Sequence, residues 1–409
     1  MLIAVVDGYA GAGWIARLLR KAGVGSVHVA SRAEVVGPFA GTLRPEDYTA
    51  DLGYDEPDAV VRRLRKLGVD RVVAGAEGGC DLAARLGALV GGDHDDPAFS
   101  RASVDKGLLA ELTARAGLAV PRTTVVTDAS AAVIWARELG VPEVVVKPAT
   151  SAATDNVRIC RTPAHITAAC EAVLAATDIY GDRNDRVVVQ ERVSGREFAV
   201  NTVSGGGRHV VVQVWEYVKQ LSESGAPLYD RHLLIHRDRP EYALVAGFTT
   251  QVLDALGIRA SAAHTEVMLQ ADGVPVLIET CARTAGGCIP DVEVELLGRS
   301  QLSVFVDSVV DPASLAAHAD FLEPDLEIQK LSLINPVAGI ATAGWAKRLR
   351  ELPTLRGLDD ETTPGQPLPA TTSLLDLPGR VYLADEDPAL VEADAQQLRL
   401  WERAGLYIS

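Results

Sequence analysis

The stretch Ser261-Ala-Ala-His-Thr-Glu-Val-Met-Leu-Gln-Ala-Asp-Gly-Val-Pro-Val-Leu-Ile-Glu279 decides how the rest of the chain is read. Two apolar-alternating runs flank Asp272-Gly273, a dipeptide that favours a type I′ hairpin turn because both central residues need positive φ. With those two residues as the loop, Met268 faces Leu277 and Glu266 faces Glu279, with Cβ atoms roughly 5 Å apart. Val267, Leu269, Val276 and Ile278 then share the opposite face, packed dry on a core. Facing carboxylates repel unless something positive stands between them. Hard divalent cations bind such oxygens, and Mg2+ commonly takes one or two carboxylates plus phosphate oxygens. A solvated face whose charges point to water is the other reading, and the hairpin alone leaves both open.

At 409 residues the chain is long for one core, so about two to four subdomains are expected. The net charge of −16 argues against nucleic-acid or acidic-membrane partners, which need a basic footprint. It leaves room for an anionic ligand in a local basic pocket. Met1-Leu-Ile-Ala-Val-Val-Asp7 lacks the basic start of a signal peptide, and no apolar run approaches a membrane span. The five cysteines (80, 160, 170, 281 and 288) are odd in number and lack CxxC spacing. That fits reduced thiols and a cytoplasmic location better than disulfides or a zinc site.

Upstream of the hairpin, the N-terminal third alternates strands and helices. Leu2 to Val6 is a short apolar run ending in Asp7-Gly-Tyr-Ala-Gly-Ala-Gly13, followed by a helical pattern from Trp14 to Lys21. Strand, glycine turn and helix open a Rossmann-like unit. A second strand, Ser26 to Ala30, ends at Ser31-Arg32, without the acidic residue that an NAD ribose calls for. A nicotinamide or flavin site and a plain tight turn therefore both remain open. Helix 58–67, strand 71–75 and helix 80–90 continue the alternation and imply a parallel sheet. Glu77 follows a strand at its carboxyl end, where such sheets place ligands, and is a substrate-side candidate.

The middle of the chain carries two lysines in suggestive settings. Asp105-Lys106 opens an amphipathic helix; strand 123–126 and helix 130–139 follow. Val144-Val-Val-Lys147 is a β-branched strand with a lysine at its exit, ahead of Ala149-Thr-Ser-Ala-Ala-Thr-Asp-Asn-Val157. Backbone N–H groups of such a small-residue loop can wrap a phosphate, with Ser151, Thr154 and Asn156 as added donors; an ordinary connection is equally compatible. Val187-Val-Val-Gln190-Glu191-Arg-Val193 is a buried strand leading to Gly195 and Glu197, and it resembles an adenine hinge. Backbone groups near Glu191 and Val193 would face a purine edge, with Gln190 beside them and Glu197 on ribose hydroxyls. Strands 197–203 and 209–217 follow. A long segment with Lys219, Tyr229, Arg231 and His232 then leads to helix 241–256 and the hairpin.

Taken in order, Asp105-Lys106, Val-Val-Lys147-Pro, Gln-Glu191-Arg-Val, His-Thr-Glu266 and Ile-Glu279-Thr-Cys-Ala-Arg283 with Gly286-Gly287 resemble the ATP-grasp superfamily of carboxylate–amine ligases. The resemblance spans roughly residues 1 to 310 and is nearest to bacterial L-amino acid ligases that make dipeptides or γ-glutamyl amides. It implies an α/β protein with an α+β ATP-grasp core. The expected parts are a Rossmann-like domain (1–105), a small lid subdomain (106–187), a large antiparallel-sheet subdomain (188–310) and a C-terminal segment (311–409). ATP would lie between lid and sheet, with Lys106 and Lys147 on its phosphates and Met268 supporting the adenine or filling space. Glu266 and Glu279 would hold Mg2+, two ions being expected and Mn2+ a substitute. Arg283 would meet the activated acyl group. His264 stands where many members have Arg, and Cys281 where many have Asn. Facing one another, that pair reads either as a substrate or oxyanion contact or as packing. Lys219, Arg231, His232, Glu77, Gly286 and Gly287 are substrate candidates, the expected partners being amino acids as small-molecule substrates and the assembly a homodimer.

Beyond Val310 no further motif occurs. Residues 353–369, rich in proline, glycine and acid, read as a surface loop, followed by strand 381–383 and helix 388–398. This segment either completes the sheet domain or forms a dimer contact. Competing functions are a biotin-carboxylase-like or purine-pathway ligase, an NAD(P)-dependent oxidoreductase built on Gly8 to Gly13, and a non-catalytic nucleotide sensor.

Overall fold

The structure is a computed structural model describing residues 1–152, 154–221, 227–319 and 324–408. It divides into two compact units: residues 1–213, 240–286 and 301–321, and residues 214–239, 287–300 and 322–409. Ala153, inside the small-residue loop, and residues 222–226, inside the Lys219–His232 segment, lie outside the described residues.

The first unit opens as its sequence predicts. β1 (Leu2–Val6), α1 (Gly13–Lys21), β2 (Gly25–Val29), β3 (Ala50–Asp51), α2 (Pro57–Leu67), β4 (Arg71–Ala74) and α3 (Cys80–Val90) form a parallel sheet of order β3-β2-β1-β4 with its helices. The glycine turn after β1 has a packing explanation. A Cβ on Gly8 would lie 1.8 Å from the Tyr48 hydroxyl, so glycine is needed there for a close protein contact.

Next come α4 (Lys106–Arg115), β5 (Thr123–Val126), α5 (Ala129–Leu139), β6 (Val144–Pro148), β7 (Arg158–Cys160), α6 (Pro163–Ala175) and β8 (Val187–Glu191). The four strands form an antiparallel sheet of order β5-β8-β6-β7. Val144, Val146, Val187 and Val189 pack against Ile166, Ala169, Cys170 and Val173 of α6. Asp105 caps α4, accepting from the Gly107 and Leu108 amides at 3.1 and 3.0 Å. The same carboxylate receives both terminal nitrogens of Arg186 at 3.1 Å. The cap fixes the first helical residue, Lys106, whose amide also donates to Ala149 O at 3.0 Å.

β9 (Arg196–Gly205) is followed by β10 (Arg208–Leu221), which starts in the first unit and ends in the second, and by β11 (Pro227–Leu234). The segment read as a long connection through Lys219 and His232 is thus largely strand. α7 (Pro240–Ala255), β12 (Ala262–Leu269) and β13 (Pro275–Cys281) return to the first unit, where β12 pairs antiparallel with both β9 and β13.

The hairpin itself corrects the expected register. Gly273 (φ +83°) donates to Gln270 O, and Gln270 N donates to Val274 O. The loop is therefore three residues long, 271–273, closed by a left-handed glycine. That offset places Met268 opposite Val276 and Val267 opposite Leu277, rather than Met268 opposite Leu277. Ile278 is then bulged out of the ladder, and beyond it Glu266 faces Glu279 and His264 faces Cys281. The two offsets cancel. Leu277, fully buried, takes the core position assigned to Ile278, and its amide donates outward to Ala119 O at 2.9 Å.

α8 (Pro290–Leu297) belongs to the second unit, and α9 (Gln301–Val310) and α10 (Leu315–Ala319) to the first. The remaining elements are β14 (Glu327–Ser332), β15 (Gly339–Ile340), α11 (Trp345–Leu349), β16 (Leu355–Asp360), β17 (Pro367–Leu368), β18 (Gly379–Asp385) and α12 (Pro388–Arg403). In the second unit the strands run β10-β11-β14-β18-β16, all antiparallel, and α12 packs its Val391, Ala395 and Leu398 into the core beside Leu331, Val381 and Leu383. β16 corrects the reading of residues 353–369 as a loop: Leu355 and Leu358 pack against that core. No described helix is long and apolar enough to cross a membrane.

Candidate active site

Lys106, Lys147, His264, Glu266 and Glu279 converge in the first unit. Lys106 is buried; its Nζ donates to Glu279 Oε1 at 2.6 Å and to Ser151 O at 2.6 Å. Burial opposes the charge on Lys106, but Glu279 and Glu77 outweigh it and raise its pKa. Lys147, equally buried in β6, behaves oppositely. Burial lowers its pKa to about 8, with Lys106 adding to the depression, while Glu279, Glu266 and Glu197 push back. Glu266 lies between Ala199 on β9 and Glu279 on β13, with His264 Nε2 3.7 Å from its Oε1. The site thus pairs two buried cations with facing carboxylates.

Beside it stands a second, part-buried ion pair. Arg283 Nη2 donates to Glu77 Oε2 at 3.0 Å and Arg283 Nη1 to Thr284 O at 2.9 Å. Burial works against the Arg283 charge, but the Glu77 carboxylate, as ion pair and hydrogen-bond acceptor, outweighs it and raises its pKa. Cys281 is buried with its Sγ 3.6 Å from Cys80 Sγ, and burial first, then Cys80, holds its thiol well above the ordinary range. His264 Nδ1 lies 2.8 Å from Asn201 Oδ1 on the facing position of β9. Cys80, Asn201 and Tyr180 were not singled out by sequence, since no spacing links them to the hairpin.

The nucleotide-side candidates line the ends of β8, β9 and β12. Gln190 is buried and donates to Thr123 Oγ1 at 2.9 Å. The Glu191 amide donates to Arg122 O at 3.0 Å and its carboxylate binds the Arg122 amide and Nε at 2.9 and 2.6 Å. Val193 is half-buried in the turn between β8 and β9, and Glu197 pairs with Met268 across β9 and β12. Ser151 is buried, its hydroxyl donating to Asp155 at 2.8 Å, while Thr154 and Asn156 hold left-handed backbone (φ +62° and +51°). That curved backbone does for the small-residue loop what glycines would otherwise do.

The substrate candidates divide between the units. Glu77 and Gly286 belong to the first; Lys219, Arg231, His232 and Gly287 belong to the second. Arg231 is committed to Glu392 and Gln329 at 2.6 and 3.2 Å. Lys219 Nζ lies 4.3 Å from the Tyr229 ring centroid, and His232 packs on Tyr217 at 4.3 Å. A Cβ on Gly287 would meet Arg380 Nε at 2.7 Å.

For a divalent cation the described residues offer two facing carboxylates rather than a cage of three or more ligands. Hard oxygen donors in that number fit Mg2+, which completes its shell with water and phosphate oxygens. Glu266 and Glu279 are the residues that would hold it.

Known proteins similar to this chain include an ATP-grasp domain family and ligases that share its fold. Residues 104–227 match the family model of the phosphoribosylglycinamide synthetase ATP-grasp (A) domain. The chain is 28% identical over 415 residues to dapdiamide A synthase of Enterobacter agglomerans, covering 97% of this chain and 95% of that protein. Among solved structures, the L-amino acid ligase from Bacillus licheniformis superposes with a TM-score of 0.73 at 16% identity, over 97% of this chain and 96% of the other. Carboxyaminoimidazole ribonucleotide synthase from Aspergillus clavatus, complexed with ATP, superposes with a TM-score of 0.71 at 16% identity, over 99% and 98%.

Proposed function

We propose that the protein joins the carboxylate of one amino acid to the amine of another, giving a dipeptide or γ-glutamyl amide with ADP and phosphate. The observation that carries this reading is the meeting of Lys106, Lys147, Glu266 and Glu279 beside the Glu77–Arg283 pair. Similarity to dapdiamide A synthase and to an L-amino acid ligase supports amino acids as the substrates.

A carboxylate is too weak an electrophile for an amine, so it first takes the γ-phosphoryl group of ATP. Catalysis of that step is mostly positioning and charge neutralisation. Lys106 and Lys147 supply fixed positive charge to the phosphates, and the loop carrying Ser151 and Thr154 supplies donors. Gln190, Glu191, Val193 and Met268 border the adenine, and Glu197 the ribose. Mg2+, held by Glu266 and Glu279, supplies further neutralisation of the phosphates when bound. Arg283 faces the oxygen that becomes anionic when the amine attacks the acyl phosphate, with His264, positioned by Asn201, beside it. The proposed test is phosphate release over pairs of amino acids with mass spectrometry of the product, comparing wild type with Glu279→Gln. A ligated product from wild type and none from the folded variant is expected. Undiminished activity in Glu279→Gln would remove the metal assignment.

A further inference from the structure

Residues 282–286, which carry Arg283, lie beyond the β12–β13 ladder, so groups outside the sheet must fix them. The chain leaves the first unit after Gly286 and re-enters it at Gln301, the first residue of α9. The Gln301 side chain reaches back to the segment the chain has just left. Its Oε1 accepts from the Ala285 amide at 2.7 Å, and its Nε2 donates to Ala263 O at 2.9 Å and to Thr202 O at 3.0 Å. A carboxamide has two N–H donors and one carbonyl, and here all are engaged. Gln301 is buried, and α9 behind it is anchored through Leu302, Val304 and Phe305, also buried, so the clamp is fixed at its base.

The strands it grips are those of the site. Ala263 precedes His264 on β12, Thr202 follows Asn201 on β9, and in the ladder Ala263 faces Thr202 while His264 faces Asn201. The His264 ring lies 2.8 Å from Asn201 Oδ1 through its Nδ1. At the other end, Ala285 stands two residues past Arg283, whose guanidinium donates to Glu77. One side chain therefore ties the Arg283 segment to the strand pair that carries His264. None of its hydrogen-bond partners is a nucleotide-side residue, since Lys106 is held by Ser151 and Glu279.

We infer that Gln301 is a positioning residue for the amine-transfer half of the reaction, holding Arg283 in register with His264 around the oxygen that becomes anionic. The inference rests on the amino acid ligase reading and adds to it a residue that neither motif nor spacing marks. In that half the amine nitrogen bonds to the acyl carbon, the bond from that carbon to the phosphate oxygen breaks, and the phosphate leaves with the electron pair and the amine's proton. Acyl phosphate that waits is attacked by water instead, returning the carboxylate and phosphate. A displaced Arg283 should thus slow product formation and waste ATP.

The test compares wild type, Gln301→Met and Gln301→Glu on an amino acid pair that wild type ligates, following phosphate, ligated product and affinity for a non-hydrolysable ATP analogue with Mg2+. Methionine keeps the length without the hydrogen bonds. Glutamate is nearly isosteric and can accept from Ala285, but as a carboxylate it has nothing to donate to Ala263 and Thr202. Both variants should lower kcat for product by about tenfold to a hundredfold, the scale of a misplacement of about 1 Å, with nucleotide affinity unchanged. Phosphate should exceed product in both variants and match it in wild type. Partial unfolding lowers phosphate and product together, so their ratio separates positioning from loss of folded protein, and Gln301→Glu carries the test if Gln301→Met does not fold. Phosphate and product falling in step, or an unchanged kcat in either folded variant, overturns the assignment while leaving the ligase reading standing. Wild type that ligates no amino acid pair overturns the ligase reading, and the role of Gln301 with it.

Discussion

Nucleotide binding should draw a proton onto Lys147. In the nucleotide-free protein its pKa is about 8, depressed by burial and by Lys106 against the pull of Glu279, Glu266 and Glu197. A triphosphate beside Nζ favours the charged form and returns the pKa toward its ordinary value near 10.4. Binding should then take up about 0.1 proton at pH 7, about 0.5 at pH 8 and about 0.9 at pH 9, because the free lysine is correspondingly deprotonated. Isothermal titration with a non-hydrolysable ATP analogue and saturating Mg2+, in buffers of different ionisation enthalpy, reads this number directly. Lys147→Met and Lys147→Arg should both bind without the pH-dependent uptake, the first weakly. Lys106 offers no such signal, since its pKa is raised and it stays charged throughout. No uptake by wild type at pH 9, or equal uptake by Lys147→Met, would refute the placement of this lysine on the phosphates.

Other consequences follow from the buried pairs. Glu77→Gln leaves Arg283 without its counter-charge and should cost about 3–5 kcal/mol in urea unfolding of the first unit; the double variant with Arg283→Met should recover about 2 kcal/mol of the summed losses, and additivity would count against the pair. In the second unit the Tyr382 hydroxyl donates to Glu293 at 2.8 Å with both groups buried, so Tyr382→Phe should lower stability by about 1–3 kcal/mol, and an unchanged calorimetric transition would contradict this. Because burial and Cys80 raise the Cys281 thiol, native protein should resist iodoacetamide at that position at neutral pH and react once unfolded, as peptide mapping would show; rapid native labelling would go against it.

Much of the fold was legible because the N-terminal third states each element locally. Short apolar runs, helical periodicity and glycine turns reproduce β1, α1, β2, α2, β4 and α3 to within a residue or so, while the two-residue β3 (Ala50–Asp51) leaves no such signature. The opposed pair Glu266–Glu279 was also legible, though for an incomplete reason. A three-residue loop and a bulge at Ile278 shift the ladder twice and restore it, and alternation alone does not reveal compensating offsets. β16 was hidden because proline, glycine and acid dominate its neighbourhood, while only Leu355 and Leu358 carry its packing. Contacts such as Arg283 with Glu77 and Cys281 with Cys80 join positions 206 and 201 residues apart, and no spacing rule reaches that far. Tyr180 and Phe39 meet by tertiary packing of two loops, which neither loop's composition announces.

The most direct measurement follows oxygen from the activated acid. With that acid's carboxylate labelled by ¹⁸O, activation as an acyl phosphate transfers one labelled oxygen to phosphate for each product formed, with ADP unlabelled. Phosphate carrying one ¹⁸O per product is the result predicted for the cluster built on Lys106, Lys147, Glu266 and Glu279. Label appearing in AMP, or product formed with no label in phosphate, would contradict the account.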